Sequence, residues 1–399
     1  MSKNQSIHNT HTNTGFDIVI GNPPYSQVPK GIYPNKTFPY SEGKDKGKQN
    51  LYKVFVEHSY NLTSNKGIFC LITQSSIMCD LSASYTRELL LTKNSIRQII
   101  EFPKKALTKE GQVFKSALQS TCILLCLKQK HKDYESLKLS INNDKTTIDK
   151  LIFESIKQSS IITLYPNRFE IPLIKKGEMK LIQKIKRDKI LLGSLIERTL
   201  QGNINTIHLK RILSNSNTGF YIIKGENIHR YHLDNNFMNC KITEEAKSII
   251  QRNLKGKYII AIQGITGTAD KNRIHCTLLE SKNTKFVFLD STKMLFLPNA
   301  KEAKYLVGLL NSKVLDWLFR KTSTNNNINI YELEDLPIPQ ITDSNQHLYN
   351  EIISLVNKIL DSKAKDSSFD TRGLESKIDS LVYALYNLTD EEIAIIERK

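Results

Sequence analysis

The sequence predicts an α/β fold with a mainly parallel sheet, followed by an α+β region and a helical C-terminal tail. Three observations carry this expectation. Short, β-branched apolar runs alternate with helix-periodic segments as far as residue 128. Short strand-like runs broken by Gly, Asn and Asp fill residues 200–300, and residues 345–399 return to helical periodicity.

Residues 16–21, FDIVIG, read as a buried strand, a short apolar run closed by Gly and Pro. A loop rich in Gly, Pro and Lys follows at 28–48. In QNLYKVFVEHSYNL the apolar residues Leu51, Val54, Phe55 and Leu62 fall at helical spacing. GIFCLIT (67–73) is a second buried strand, YTRELLLTKN a helix, IRQIIEF (96–102) a strand, and STCILLCLK (120–128) another. From residue 129 the chain turns polar and lysine-rich, which reads as a linker or surface excursion. KKGEMKLIQKIKRDKILLGSLIE and AKYLVGLLNSKVLDWLFRK read as helices, and TSTNNNINIYELEDLPIPQ as a loop whose asparagines at 325–327 and 329 are solvated.

The chain has 399 residues, enough for two or three domains. Its 57 Lys and Arg outnumber 40 Asp and Glu, a net charge of +17. Residues 341–399 hold eleven acids and seven bases, so residues 1–340 carry +21. Such a balance suits a polyanion, nucleic acid before others. No apolar run is long enough for a membrane helix, and MSKNQSIHNTHTNTG lacks the apolar core of a signal peptide. The six cysteines contain no CxxC pair, and Cys122 and Cys126 share one strand-like run. Neither zinc nor a disulfide framework is implied, and the expected compartment is the cytoplasm.

The strand at 16–21 leaves through Asn22-Pro23-Pro24-Tyr25. In an open α/β sheet, ligands gather at the carboxyl ends of strands. Pro24 has no N–H, and Pro23 fixes its own φ and biases Asn22 toward an extended shape. The turn is therefore stiff, with carbonyls and the Asn22 amide oxygen available as acceptors. Two acceptors around one amino group would hold its lone pair toward an electrophile without reorganisation. Tyr25 offers a flat face to a planar base, where stacking contributes about 1–3 kcal/mol. The plain alternative is an ordinary proline turn.

FDIVIGNPPY resembles motif IV of the amino-methyltransferases that use S-adenosylmethionine (AdoMet). The resemblance continues in order. NLYKVFVEHS is similar to the helix after that motif, GIFCLITQSSIM to the next strand, IRQIIEFPKKAL to the strand of motif VII, and GQVFKSALQSTCILLCLK to motif VIII. LLNSKVLDWLFRKTST, LEDLPIP and KIDSLVYALYNLTDEEIAIIE resemble the end of a TaqI-like specificity domain. The family is the γ-class of DNA adenine-N6 methyltransferases of type II restriction–modification systems.

That resemblance implies an incomplete Rossmann-like methyltransferase sheet followed by a target-recognition domain. Residues 1–130 would form the C-terminal half of the catalytic domain, 131–165 a linker, 166–340 the target-recognition domain and 341–399 a helical tail. Asn22 and the Pro23 carbonyl would accept the adenine amine. Tyr25 would stack on the extruded base, and Phe114 of the QVF turn would meet its other face. The implied partners are double-stranded DNA, AdoMet as methyl donor and a cognate restriction endonuclease, with no metal.

In the γ-class order the AdoMet-binding half precedes motif IV. Only fifteen polar residues precede it here, and the glycine cluster QGITGTADKN (263–272) lacks a GxG core and reads as a loop. The expectation is a second polypeptide carrying the AdoMet half. The alternatives are a truncated gene product and a non-catalytic DNA-binding specificity subunit. YIIKGENIHRYHL and TADKNRIHC cluster basic and amide residues with aromatics nearby, which nominates Lys224, Arg230, Lys271 and Arg273 as DNA contacts. Asp370 with Glu375-Ser376-Lys377 fits a loose nuclease pattern, but its helical setting reads as solvated charge.

Overall fold

The structure, a computed structural model, describes residues 15–29, 32, 37–44, 49–102, 120–142, 150–254, 257–268, 270–280 and 285–398. It divides into two compact units, residues 1–179 and 180–399.

The first unit is built on one six-stranded sheet. Strand β1 (Phe16–Gly21) is followed by helix α1 (Leu51–Leu62), strand β2 (Thr63–Gln74), helix α2 (Ser84–Lys93) and strands β3 (Ser95–Phe102) and β4 (Thr121–Leu127). Strands β5 (Ser136–Ile141) and β6 (Glu154–Lys157) complete it, in the order β1-β2-β4-β3-β5-β6. β1, β2, β3 and β5 run one way, and β4 and β6 the other. The carboxyl ends of β1, β2 and β3 therefore share one edge, with the start of β4 between the latter two.

The apolar runs that predict these strands fill the core. Phe69 and Leu71 of β2, Ile96 and Ile99 of β3, and Leu124 of β4 are all buried. α1 begins at Asn50, whose side chain accepts from the Tyr52 N–H as an N-cap should. Buried Glu57 of α1 accepts the Tyr40 N–H at 3.1 Å and the Ser41 N–H at 2.7 Å, fastening the preceding turn to the helix.

Two expectations for this unit change. Residues 131–165 are not a linker: they supply β5, β6 and the helix Gln158–Leu164. Buried Gln158 ties that helix to the sheet, accepting the Ile96 N–H at 3.0 Å and donating to the Leu91 and Asn94 carbonyls. β5 lies in a lysine-rich stretch and looks like a linker because, of its apolar residues, only Leu137 and Leu139, two positions apart, are fully buried. Nor is β1 buried. It is an edge strand, with Phe16 and Ile18 each 63% and Ile20 76% exposed on one face.

In the second unit the strands are β7 (Arg198–Leu200), β8 (Leu213–Ser214), β9 (Tyr221–Ile223), β10 (Ile228–His229), β11 (His232–Leu233) and β12 (Met238–Cys240). After helix α3 (Glu244–Leu254) come β13 (Tyr258–Gln263), β14 (Cys276–Glu280), β15 (Phe286–Phe288) and β16 (Thr292–Leu297). One antiparallel sheet has the order β7-β16-β13-β14, a second mixed sheet β8-β12-β9-β15, and β10 and β11 pair as a hairpin. Ile259, Ala261, Phe288 and Phe296 pack one core cluster, and Ile222, Ile249 and Val287 another.

Six helices follow, five of them eight residues or longer: α4 (Ala300–Leu310), α5 (Lys313–Arg320), α6 (Gln346–Lys365), α7 (Arg372–Leu385) and α8 (Asp390–Glu397). Residues 200–300 thus hold a helix, α3, besides strands. The expected loop after α5 contains the short helix Ile330–Glu334, closed by a capping box between Asn329 and Glu332. Among the described residues no helix is long and apolar enough to cross a membrane.

Candidate active site

β1 pairs in parallel with β2, Ile18 beside Ile68, Ile20 beside Cys70 and Gly21 beside Leu71. The chain then turns across the carboxyl end of β2. Pro23 is buried, Asn22 and Pro24 are exposed, and Tyr25 is half-buried. The Tyr25 hydroxyl donates to the Ile72 carbonyl at 3.2 Å, so the ring is anchored against β2. Burial pushes the Tyr25 hydroxyl up to about 12, and nearby Cys122 adds to this, so it stays a protonated donor at neutral pH.

Downstream the turn is held again. Ser26 accepts the Leu51 N–H at 3.0 Å, and Gln27 and Val28 pair antiparallel with Asn50 and Gln49 at the head of α1. Tyr52 of α1 lies 3.3 Å from the Ser76 hydroxyl, linking the helix to the residues after β2. A strand, a hydrogen-bonded ring and a two-residue ladder therefore fix the turn at three points. The Asn22 carboxamide projects from this frame with no hydrogen-bond partner among the described residues.

Glu101 was not anticipated. It ends β3 nearly buried, opposite Cys122 of β4, which in turn lies opposite Thr73 of β2. Burial raises its carboxyl to about 7. An acid closing the apolar run IRQIIEF was the available signal. Phe114 lies outside the described residues.

The nominated basic residues separate. Lys271 is exposed on the loop after β13. Lys224 is half-buried and pairs with Glu226 at 3.0 Å. Arg230, in the β10–β11 turn, is held by Glu375 of α7, its Nε donating at 2.9 Å, with a further bond from its Nη2. Arg273 departs from the expectation of a surface cation. It is 1% exposed, and its guanidinium donates to the Thr266 carbonyl, the Ser323 hydroxyl and the Asn325 carbonyl. A guanidinium this deeply buried, with both terminal nitrogens bonded inside the fold, is out of reach of a phosphate. The tail acids separate likewise: Glu375 pairs with Arg230, and Asp370 with Arg372 at 2.7 Å.

Residues 1–107 match the family "Eco57I restriction-modification methylase", and residues 220–338 match "TaqI-like C-terminal specificity domain". A protein of Methanocaldococcus jannaschii, named as a type II restriction enzyme and methyltransferase, is 23% identical over 93% of the chain, which spans 31% of that relative's length. Among solved structures, the type IIL restriction-modification enzyme MmeI in complex with DNA covers 95% of this chain at a TM-score of 0.55 and 13% identity, over 56% of its own length. A nuclease-deletion mutant of the type ISP enzyme LlaGI with a DNA substrate mimic covers 86% at a TM-score of 0.50 and 12% identity, over 41% of its length. At such identities the likeness is one of fold. The chain is thus similar to an Eco57I restriction-modification methylase over residues 1–107 and to a TaqI-like C-terminal specificity domain over residues 220–338.

Proposed function

We propose that this chain carries the methyl-acceptor site and the target-recognition surface of a DNA methyltransferase acting on the N6 amine of adenine. The observation that carries this reading is the Asn22–Tyr25 turn, anchored at the carboxyl end of the sheet with its carboxamide exposed. The Asn22 amide oxygen and the Pro23 carbonyl accept the two amine hydrogens and orient the nitrogen lone pair. Tyr25 stacks on a base swung out of the duplex, with Phe114 proposed on the opposite face. Extrusion costs a few kcal/mol, which two aromatic faces at about 1–3 kcal/mol each offset. As the N–CH3 bond forms, the S–CH3 bond of AdoMet breaks and a neutral thioether leaves; the surplus amine proton then departs to solvent.

The methyl donor needs a surface of its own. Ile18 and Ile20, beside Ile68 and Cys70 of β2, form an exposed apolar face running to an open strand edge. An open, hydrophobic edge is a template for further pairing. Donor-binding strands are proposed to pair there, in this polypeptide or in a second one. Lys224 and Lys271 remain the proposed phosphate contacts.

The test is Asn22→Ala in the methylation-competent assembly, alongside Tyr25→Phe and Tyr25→Ala. Asn22→Ala is expected to abolish methylation while leaving duplex binding intact. Tyr25→Phe keeps the stacking face and most of the rate, whereas Tyr25→Ala loses about 5- to 150-fold, the rate equivalent of one stacking face. Wild-type methylation by Asn22→Ala would refute the proposed site.

A further inference from the structure

Two segments that read as loops, 264–268 and 325–329, are bonded to each other. The Thr266 N–H donates to the Asn326 carbonyl at 3.0 Å and the Ile328 N–H to the Gly264 carbonyl at 2.9 Å, with Ile265 and Asn327 forming an antiparallel bridge. Two arginines pin this pair from beneath. Arg273 holds the Thr266 and Asn325 carbonyls, and Arg320 those of Thr268, Asp270 and Lys271. Asp316 of α5 joins the two pins, accepting the Arg273 N–H at 2.5 Å and the Arg320 Nε–H at 2.7 Å. Glycine is required at 264, where a Cβ would come 2.6 Å from the Ser291 carbonyl oxygen.

Ordering loop carbonyls in this way takes up one buried guanidinium, that of Arg273, and one partly exposed, that of Arg320. What it yields is a rigid ledge whose outward groups are chemically specific. Asn326 and Asn327 are exposed, and their carboxamides have no hydrogen-bond partner among the described residues. Ile265 is 51% exposed between them and exposed Lys271. A carboxamide matches the N6–H donor and N7 acceptor of adenine in the major groove, and an apolar side chain meets the thymine methyl. Preorganisation is what such readout needs, because a side chain on a mobile loop loses its discrimination to entropy.

We infer that this ledge reads A·T pairs of the target duplex, with Asn326 and Asn327 contacting adenine, Ile265 a thymine methyl, and Lys271 a neighbouring phosphate. The inference rests on the DNA reading above and assigns to two loops the specificity that the domain supplies. Residues 1–340 carry +21, which favours the polyanion the ledge would meet.

The experiment selects bound duplexes from a pool with a randomised core, using the full chain and its variants, with Trp317 emission as a check on folding. Wild type is expected to enrich a motif containing A·T pairs. Asn326→Ala and Asn327→Ala should each lose about tenfold or more discrimination at one position while binding the unselected pool within about twofold of wild type. Lys271→Ala should weaken all sequences alike and lower the salt dependence by about one phosphate contact. If both asparagine variants enrich the wild-type motif with undiminished discrimination, the ledge does not read bases. If wild type binds no duplex, the DNA reading itself falls, and the inference with it.

Discussion

Asp316 is the residue on which the second unit's loops depend. It is 6% exposed. Its Oδ1 accepts two buried backbone N–H groups, those of Arg273 at 2.5 Å and Ile274 at 2.9 Å, and its Oδ2 accepts Arg320 Nε–H at 2.7 Å. Asp316→Ala leaves both N–H groups buried without a partner, at about 1–3 kcal/mol each. Arg320 is more exposed and retains three carbonyl partners, so its loss adds no more than about 1 kcal/mol. The expected cost is therefore about 2–7 kcal/mol. Asp316→Asn keeps an acceptor oxygen for the two N–H groups and surrenders only the charge, so about 1 kcal/mol is expected. Trp317, the only tryptophan and 7% exposed on the same helix, reports unfolding of this unit by fluorescence in urea. A loss below about 1 kcal/mol for Asp316→Ala, or equal losses for Ala and Asn, would refute the claim that buried backbone donors set the cost.

Glu332 predicts a pH dependence in the same unit. Burial raises its carboxyl from an ordinary 4.5 to about 7, against hydrogen bonds from Asn329 and the charge of Arg273. The folded state therefore favours the protonated form: its contribution is fully present below about pH 4.5 and is lost as pH rises through about 7. Glu332→Gln, which cannot ionise, should match wild type at low pH and exceed it increasingly up to neutrality in Trp317-monitored urea titrations; a constant difference across pH would refute this. On β1, Ile20→Lys replaces a side chain that is 76% exposed. It should change the melting temperature little, corresponding to at most about 0.5 kcal/mol, yet abolish methylation by the donor-competent assembly. Unchanged methylation would show that this face is not where donor-binding strands pair.

Much of the first unit was legible from residue order. GIFCLIT declares itself as a nearly unbroken apolar run, although of its large apolar residues only Phe69 and Leu71, on one face, are buried, and IRQIIEF as an apolar run interrupted by Arg97, Gln98 and Glu101. β5 and β6 did not, because SLKLSI and ESIK are short and mix polar with apolar residues, the signature of a surface segment. Within KNR, Lys271 is exposed and Arg273 buried, although both looked like phosphate contacts. Charge type is written in the sequence, but whether a guanidinium turns outward depends on carbonyls donated by residues some fifty positions away.

The sheet-forming runs, the stiff Asn-Pro-Pro-Tyr exit and the basic balance are all set by residue order, the first two because they follow from residues adjacent in the chain. The anchoring of the exit through Tyr25 to Ile72, the open apolar face of β1 and the joining of two plain loops into one pinned ledge come from the folded arrangement. These are contacts between segments distant in sequence, and local propensity carries no information about which distant carbonyl will meet which donor.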